Sequence, residues 1–155
     1  VSNIVIIYTN LAAKDVAYDG ATVEVYGLDA TPGFVEQGNL PRRVLLYGRD
    51  TDGNFGFLTI GTLARPTWTI YDLLLVRKQA LGRGVVDVST PVMMYCGAYI
   101  DMLRTFREPG GTGSQTTLDA ATVEPGIFEY PLSSGETYYG VLATLTVREV
   151  LSAST

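Results

Sequence analysis

A chain of 155 residues is the size of one domain, and near that length roughly two-thirds of the unfolded surface can be buried without disulfide or metal staples. Its 46% hydrophobic and 10% aromatic residues and mean hydropathy of +0.18 exclude a disordered tail, and a single cysteine, Cys96, excludes an internal disulfide framework. The formal net charge of −5 lacks the basic footprint of a nucleic-acid binder, and a charged fraction of only 17% points to a surface partly covered by partners.

Seven prolines punctuate the chain, because each removes a backbone donor and fixes φ. Before the first of them, residues 4–18 place Ile4, Ile7, Tyr8, Leu11, Ala12 and Ala13 along one helical face, which predicts a first helix. The β-branched start at residues 4–7 would suit a strand equally well. Asp19-Gly20 is expected to end the helix, residues 22–26 alternate as a strand, and a polar stretch covers 27–39. After Leu40-Pro41, residues 43–47 and 55–63 read as the two arms of a hairpin turning through 49–54. Residues 68–78 give the longest strand, with Trp68, Ile70, Asp72, Leu74 and Val76 on one face. The apolar run 73–76 implies that its middle is covered on both sides.

A second helix is expected to start at Pro91, with Thr90 as its N-cap and Pro109-Gly110-Gly111 as its stop. Val92, Tyr95, Cys96, Tyr99, Leu103 and Phe106 recur at steps of three and four and form a stripe that can pack on a sheet, while Asp101 and Arg104 lie off it. The glycine-rich segment 110–114 reads as too flexible to hold a shape without a partner. Residues 122–130 read as a strand bent at Pro125-Gly126. Residues 138–150 read as the last strand, with Val141, Ala143, Leu145 and Val147 buried and Thr144, Thr146 and Arg148 exposed. Together these predict one domain over 1–155 of the α+β class: a mixed, mainly antiparallel sheet with two helices packed on it, in the order α-β-β-β-β-α-β-β.

The sequence contains no histidine, so imidazole triads and His-ligated metals are excluded. Cys96 lies on the apolar stripe and reads as a buried thiol. Asp50-Thr51-Asp52-Gly53-Asn54 lacks the glycine placement and terminal Glu of a calcium loop and reads as a hairpin tip. Gly82-Arg83-Gly84 and 110–114 lack the Lys-Ser/Thr of a phosphate loop. Glu129 and Glu136 flank a turn and could meet as a carboxylate pair, but solvated turn charges are the plainer reading. No catalytic centre, cofactor or metal is expected. No membrane span is expected either, since the richest apolar run, 70–76, is broken by Asp72. The segment Val1-Ser2-Asn3-Ile4-Val5-Ile6-Ile7-Tyr8 carries neither a basic leader nor a cleavage signature, and the lone cysteine fits assembly in a cytoplasm.

Three stretches carry a resemblance. Val23-Glu24-Val25-Tyr26 leads through a polar loop to Leu40-Pro41-Arg42-Arg43-Val44-Leu45; Thr67-Trp68-Thr69-Ile70-Tyr71-Asp72-Leu73-Leu74-Leu75-Val76 forms a long strand; residues 138–150 form a closing one. In this order of elements, over most of the chain, the sequence resembles the tail terminator, or tail completion, proteins of long-tailed bacteriophages. The resemblance implies a virion structural protein without catalytic residues, a homo-oligomer forming a hexameric ring. Such a ring caps the tail tube, stops its polymerisation and joins it to the head connector or stopper at the head–tail junction, after assembly in the host cytoplasm. Its partners would be the major tail tube protein and that connector, with the genome passing through without sequence-specific binding. A net negative domain suits such a conduit. The candidate inter-subunit or ring–ring contacts are Phe34, Arg42, Arg43, Gly110, Gly111, Gly113, Tyr138 and Tyr139. Two other readings stand beside this one: another head–tail joining or tail-tube ring protein, and a carbohydrate- or ligand-binding module presenting Trp68 and tyrosines as an aromatic platform. Trp68 sits on an apolar strand face, which favours core packing.

Overall fold

The computed structural model describes residues 3–30, 32, 35, 37–46, 55–57, 63–79, 86–131 and 134–152. Its first helix, α1 (Ile4–Ala12), buries Ile7, Tyr8 and Leu11 and stops short of the expected end at residue 18. The residues beyond it find a different hydrogen-bonding solution. β1 (Ala17–Tyr18) and β2 (Ala21–Thr22) pair antiparallel through Asp19-Gly20, whose φ angles of 50° and 83° are those of a tight hairpin turn. Asp19-Gly20 therefore closes a hairpin rather than a helix. The strand expected over 22–26 is split for the same reason. Thr22 pairs back to Ala17, whereas β3 (Val25–Tyr26) runs parallel to β4 (Arg42–Leu46). Between β3 and β4 lie two short 3-10 turns, Leu28–Ala30 and Gln37–Asn39.

β5 (Phe55–Phe57), β6 (Leu63–Ala64) and β7 (Pro66–Lys78) follow. Among the described residues the expected hairpin between 43–47 and 55–63 does not form. β4 pairs antiparallel with β7 from Arg42↔Leu75 to Leu46↔Tyr71, and β5 pairs with it from Phe55↔Trp68 to Phe57↔Pro66. The two strands thus lie end to end along one edge of β7, whose 13 residues offer more backbone partners than either could offer the other. The tip proposed at 49–54 lies outside the described residues.

α2 (Val86–Leu103) begins five residues before Pro91, which is inside the helix, so Thr90 is a helical residue and not its cap. Val88 and Val92 are both buried in the main core, and that burial draws an extra turn onto the sheet in spite of the donor missing at Pro91. At its other end α2 tightens: Arg104, Thr105 and Phe106 each donate their N–H to the carbonyl three residues back, which brings Phe106 into the core beyond the last helical residue. The glycine segment has a shape of its own. Gly110 N–H donates to Thr116 Oγ1 at 2.7 Å, Gly111 N–H to the Glu108 carbonyl at 2.9 Å and Gly113 N–H to the Glu108 carboxylate at 3.1 Å. The expectation that it needs an outside partner is corrected by these internal ones.

β8 (Thr116–Glu129) starts six residues earlier than expected, because its first residues pair with the far end of β9 (Thr137–Glu149), from Thr116↔Glu149 to Glu129↔Thr137. Pro125 does not end the strand, since β8 is at the sheet edge, where a missing donor is tolerated. β10 (Leu151–Ser152) pairs with β6. The main sheet runs β3-β4-β7-β9-β8, with β5 added to β7; all of its pairings are antiparallel except β3 with β4. The α+β class holds, with both helices on one face. There Ile7 and Leu11 of α1 and Val92, Tyr95 and Tyr99 of α2 meet Ile70, Leu74 and Val76 of β7 and Val141, Ala143, Leu145 and Val147 of β9. The opposite face buries Val44, Tyr71, Leu73, Leu75, Tyr138 and Leu142 under Val35, so the middle of β7 is covered on both sides as its apolar run implies. On β9 only the far half of that second face opens: Thr144 and Thr146 are half-buried and Arg148 is exposed.

Candidate interaction surface

The largest concentration of charge inside the fold surrounds Arg43. In a strand, neighbouring side chains point to opposite faces, so Arg42 and Arg43 part company although adjacent. Arg43 turns inward, fully buried, where its Nη2 reaches Asp72 Oδ2 at 2.5 Å and its Nε lies 3.2 Å from both Asp72 oxygens. Its Nη1 donates to the Lys14 carbonyl at 2.7 Å and Nη2 to the Leu11 carbonyl at 3.3 Å, which satisfies the C-terminal end of α1. Tyr99 donates its hydroxyl to Asp72 at 2.7 Å, and the guanidinium lies 5.8 Å from the Tyr99 ring centroid. Burial opposes the Arg43 charge, but the Asp72 charge and hydrogen bonds outweigh it and hold the pKa above the ordinary value. Burial and then the Asp72 charge push the Tyr95 and Tyr99 phenols well upward. The cluster ties α1, β4, β7 and α2 together and is closed to solvent.

The other proposed contact residues are scattered. Arg42 forms an ion pair with Glu24, lies 5.1 Å from the Tyr26 ring centroid and donates Nε–H to the Asn39 carbonyl at 3.0 Å, so it fastens the start of β4 to β3 and to the turn between them. Tyr138 is buried, with its hydroxyl 3.4 Å from the Val35 carbonyl; Tyr139 is buried on the helix side, 5.8 Å beneath the Arg77 guanidinium. Gly110, Gly111 and Gly113 lie together at the opposite end of the β8–β9 ribbon. Gly111 and Gly113 have φ angles of +100° and +79°, and a Cβ on Gly110 would meet Ser114 Oγ at 2.8 Å. Phe34 lies outside the described residues. Glu129 accepts from Gly135 N–H at 3.2 Å and Glu136 pairs with Lys78 at 3.4 Å, so each is held within the turn region. Cys96 is buried, and burial raises its thiol pKa. Trp68 is half-buried and donates its indole N–H to Glu149 at 2.6 Å.

The most prominent exposed apolar feature is elsewhere. Among the described residues no strand pairs with the outer edge of β8, and its residues 119–122 and 124–127 are exposed. Beside that edge, between β8 and the N-terminal turns of α2, runs a groove of about 410 Å³. Val88, Val92, Met93, Pro125, Ile127 and Tyr139 line it, with Gly126 and Gly140 as the bare backbone of its floor. Gly140 is required there: a Cβ would lie 2.0 Å from the Leu74 carbonyl oxygen. Met93 and Met94 are 60% and 70% exposed, and Ile127 is 48% exposed. This second stripe on α2 was visible in the sequence, since Met93, Gly97 and Ile100 recur at helical spacing off the core face. Asp87, Glu124, Glu129 and Glu136 mark this end of the molecule, with Arg77 3.7 Å from Asp87. An apolar, concave surface of this kind can bind by burial. Among the described residues no group of three or more His, Cys, Asp or Glu is placed to hold a metal ion, and no helix is long and apolar enough to cross a membrane. Compared with models of known protein families, with characterised proteins and with solved structures, the chain and its fold match none.

Proposed function

We propose that the protein is a virion structural component that assembles into a ring of the tail-terminator kind, capping a phage tail tube and joining it to the head connector. The observation that carries the reading is an apolar groove beside the long outer edge of β8, which no strand pairs with among the described residues. Exposed methionines beside such a groove are typical of surfaces that a partner covers. β8 is also guarded against its own kind. Asp119, Glu124 and Glu129 would face like charges in a β8–β8 pair, and Pro125 lacks a donor, so two-fold edge pairing is disfavoured. Association through two different surfaces of the same chain is heterologous, and heterologous contacts build a ring where the rotation between neighbours closes.

The order of elements supports the same reading, as do a low charged fraction and a net charge of −5, which suits a wall that DNA must slide past. The aromatic-platform alternative draws less support, because the Trp68 indole N–H is already committed to Glu149. Electron micrographs of the purified protein, alone and mixed with tail tubes, test the proposal. Rings in the first case and capped tube ends in the second are expected; isolated monomers that leave the tubes bare would refute it.

A further inference from the structure

We propose that Met93 is an oxidation switch for assembly: hydrogen peroxide converts its thioether to the sulfoxide in the free subunit, which sets a polar oxygen on the groove wall and blocks the contact made there; this rests on the ring reading above and holds whichever segment of a neighbour covers the groove.

The sulfur of the chain divides by exposure. Of the three methionines, Met93 and Met94 are 60% and 70% exposed and Met102 is 8% exposed. The lone Cys96 is 7% exposed, and burial raises its thiol pKa, which suppresses the reactive thiolate. Thioether oxidation follows access. Peroxide in solvent therefore reaches two adjacent side chains of α2 and spares the two core sulfurs. In the step itself the Met93 sulfur lone pair attacks one peroxide oxygen, and the S–O bond forms as the O–O bond breaks. The departing hydroxide takes the proton of the transferred oxygen and leaves as water. Sulfur loses two electrons and the peroxide gains them.

The two exposed methionines face different surroundings, since successive residues of a helix are turned by about 100°. Met93 lines the groove with Val88, Val92, Pro125 and Ile127, whereas Met94 stands outside that lining and faces solvent. As a thioether, Met93 is a flexible apolar side chain that moulds itself to whatever packs on it. As a sulfoxide it carries a strong acceptor that loses its water when the groove is covered. The hydrocarbon side chains of Val88, Val92 and Ile127 cannot donate to that oxygen, and Pro125 has no N–H. Burying such a group weakens a contact roughly tenfold or more, and a ring repeats the loss at every subunit boundary. The Met94 sulfoxide stays hydrated and leaves the contact alone, so the neighbouring residue is an internal control.

The test oxidises the full chain with hydrogen peroxide while it is dilute and unassembled. Peptide mass spectrometry is expected to find one added oxygen on each of Met93 and Met94 and none on Met102 or Cys96, with circular dichroism unchanged. Native mass spectrometry at micromolar concentration should then show the assembled fraction reduced roughly tenfold or more, and restored by the two methionine sulfoxide reductases, one for each epimer. When peroxide is added to rings already formed, Met94 should gain oxygen and Met93 should be protected. Met93→Gln, polar and of similar length, should reproduce the loss without oxidant, while Met94→Gln should assemble as the wild type does. Met93→Leu should assemble and withstand peroxide. Rings that keep their mass with Met93 oxidised, or a Met93 as reactive as Met94 inside the ring, overturn the switch and leave the ring standing. A wild type that is monomeric before peroxide is added overturns the ring and the switch with it.

Discussion

Replacing Asp72 by Asn removes one charge from the centre of the fold and changes little else in shape. Both side chains of the Arg43–Asp72 pair are 0% exposed, so the guanidinium would remain in the interior without its counter-charge. The amide oxygen can still accept from Tyr99, and the Leu11 and Lys14 carbonyls still receive Arg43, so the loss is chiefly electrostatic. Breaking a buried pair on one side costs about 3–5 kcal/mol. Set against a total of about 5–15 kcal/mol for a typical domain, that is a large share, and at about 2–4 °C per kcal/mol Tm should fall by roughly 6–20 °C. Urea unfolding followed by circular dichroism should show a lower midpoint with an unchanged slope. The triple change Arg43→Met, Asp72→Leu, Tyr99→Phe removes the charges together with the hydroxyl that depends on them. It should recover stability to within about 2 kcal/mol of the wild type, the remainder reflecting the Lys14 carbonyl, which loses the Arg43 donor, while the Leu11 carbonyl keeps the Lys14 N–H. If Asp72→Asn costs less than about 1 kcal/mol, or the triple variant is no more stable than the single one, the cluster does not hold the fold as described.

Gly140→Ala should destabilise by about 3 kcal/mol or prevent folding, because the new methyl meets the Leu74 backbone at 2.0 Å; Gly126→Ala, whose Cβ would sit 3.6 Å from the Phe128 ring, should stay within about 0.5 kcal/mol, and paired melting curves compare them. Glu149→Gln leaves a single acceptor oxygen for two donors, Asn3 N–H and the Trp68 indole, each now 2.6 Å from its own carboxylate oxygen, so one bond is lost and the other loses its charge assistance, which should cost about 1.5–3 kcal/mol. Faster amide exchange at the start of α1 and a shift in the emission of the single tryptophan would report it. Tyr8, Tyr95 and Tyr99 have phenol pKa values raised by burial above the ordinary 10.0. The unfolded chain therefore releases these protons first, and their contribution to stability is complete below pH 10 and lost as pH rises beyond it. Phenolate absorbance in the native protein at high pH should account for fewer than the ten tyrosines, with the rest appearing on denaturation.

Packing outranked local signals wherever the two conflicted. The Thr90-Pro91 pattern is a sound helix start in isolation, yet Val88 extends the buried face of α2 by one more turn, and its burial outweighs the lost cap. Asp19-Gly20 satisfies the requirements of a helix stop and of a hairpin turn alike, and only the ladder between Ala17 and Thr22 decides between them. The neighbours 43–47 and 55–63 look like a hairpin until the length of β7 is taken into account, since one edge of it accommodates both. The long strand, the apolar face of β9 and the stripe Val92, Tyr95, Cys96 and Tyr99 were legible because period and burial coincide there. Arg43 was legible in principle: Asp72 falls on a buried face of β7, a buried carboxylate demands a cation, and alternation along β4 turns Arg43 inward. The groove was not, because a groove belongs to two elements far apart in sequence, and neither Met93 nor Ile127 announces the other.

The mass of the native assembly tests the ring most directly. Native mass spectrometry of the wild-type chain at micromolar concentration should give a single closed oligomer near six times the 16.7 kDa of one chain, lost at once when Met93 and Ile127 are made acidic. A protein that stays at 16.7 kDa throughout, or that stops at a two-fold dimer indifferent to those changes, would contradict it.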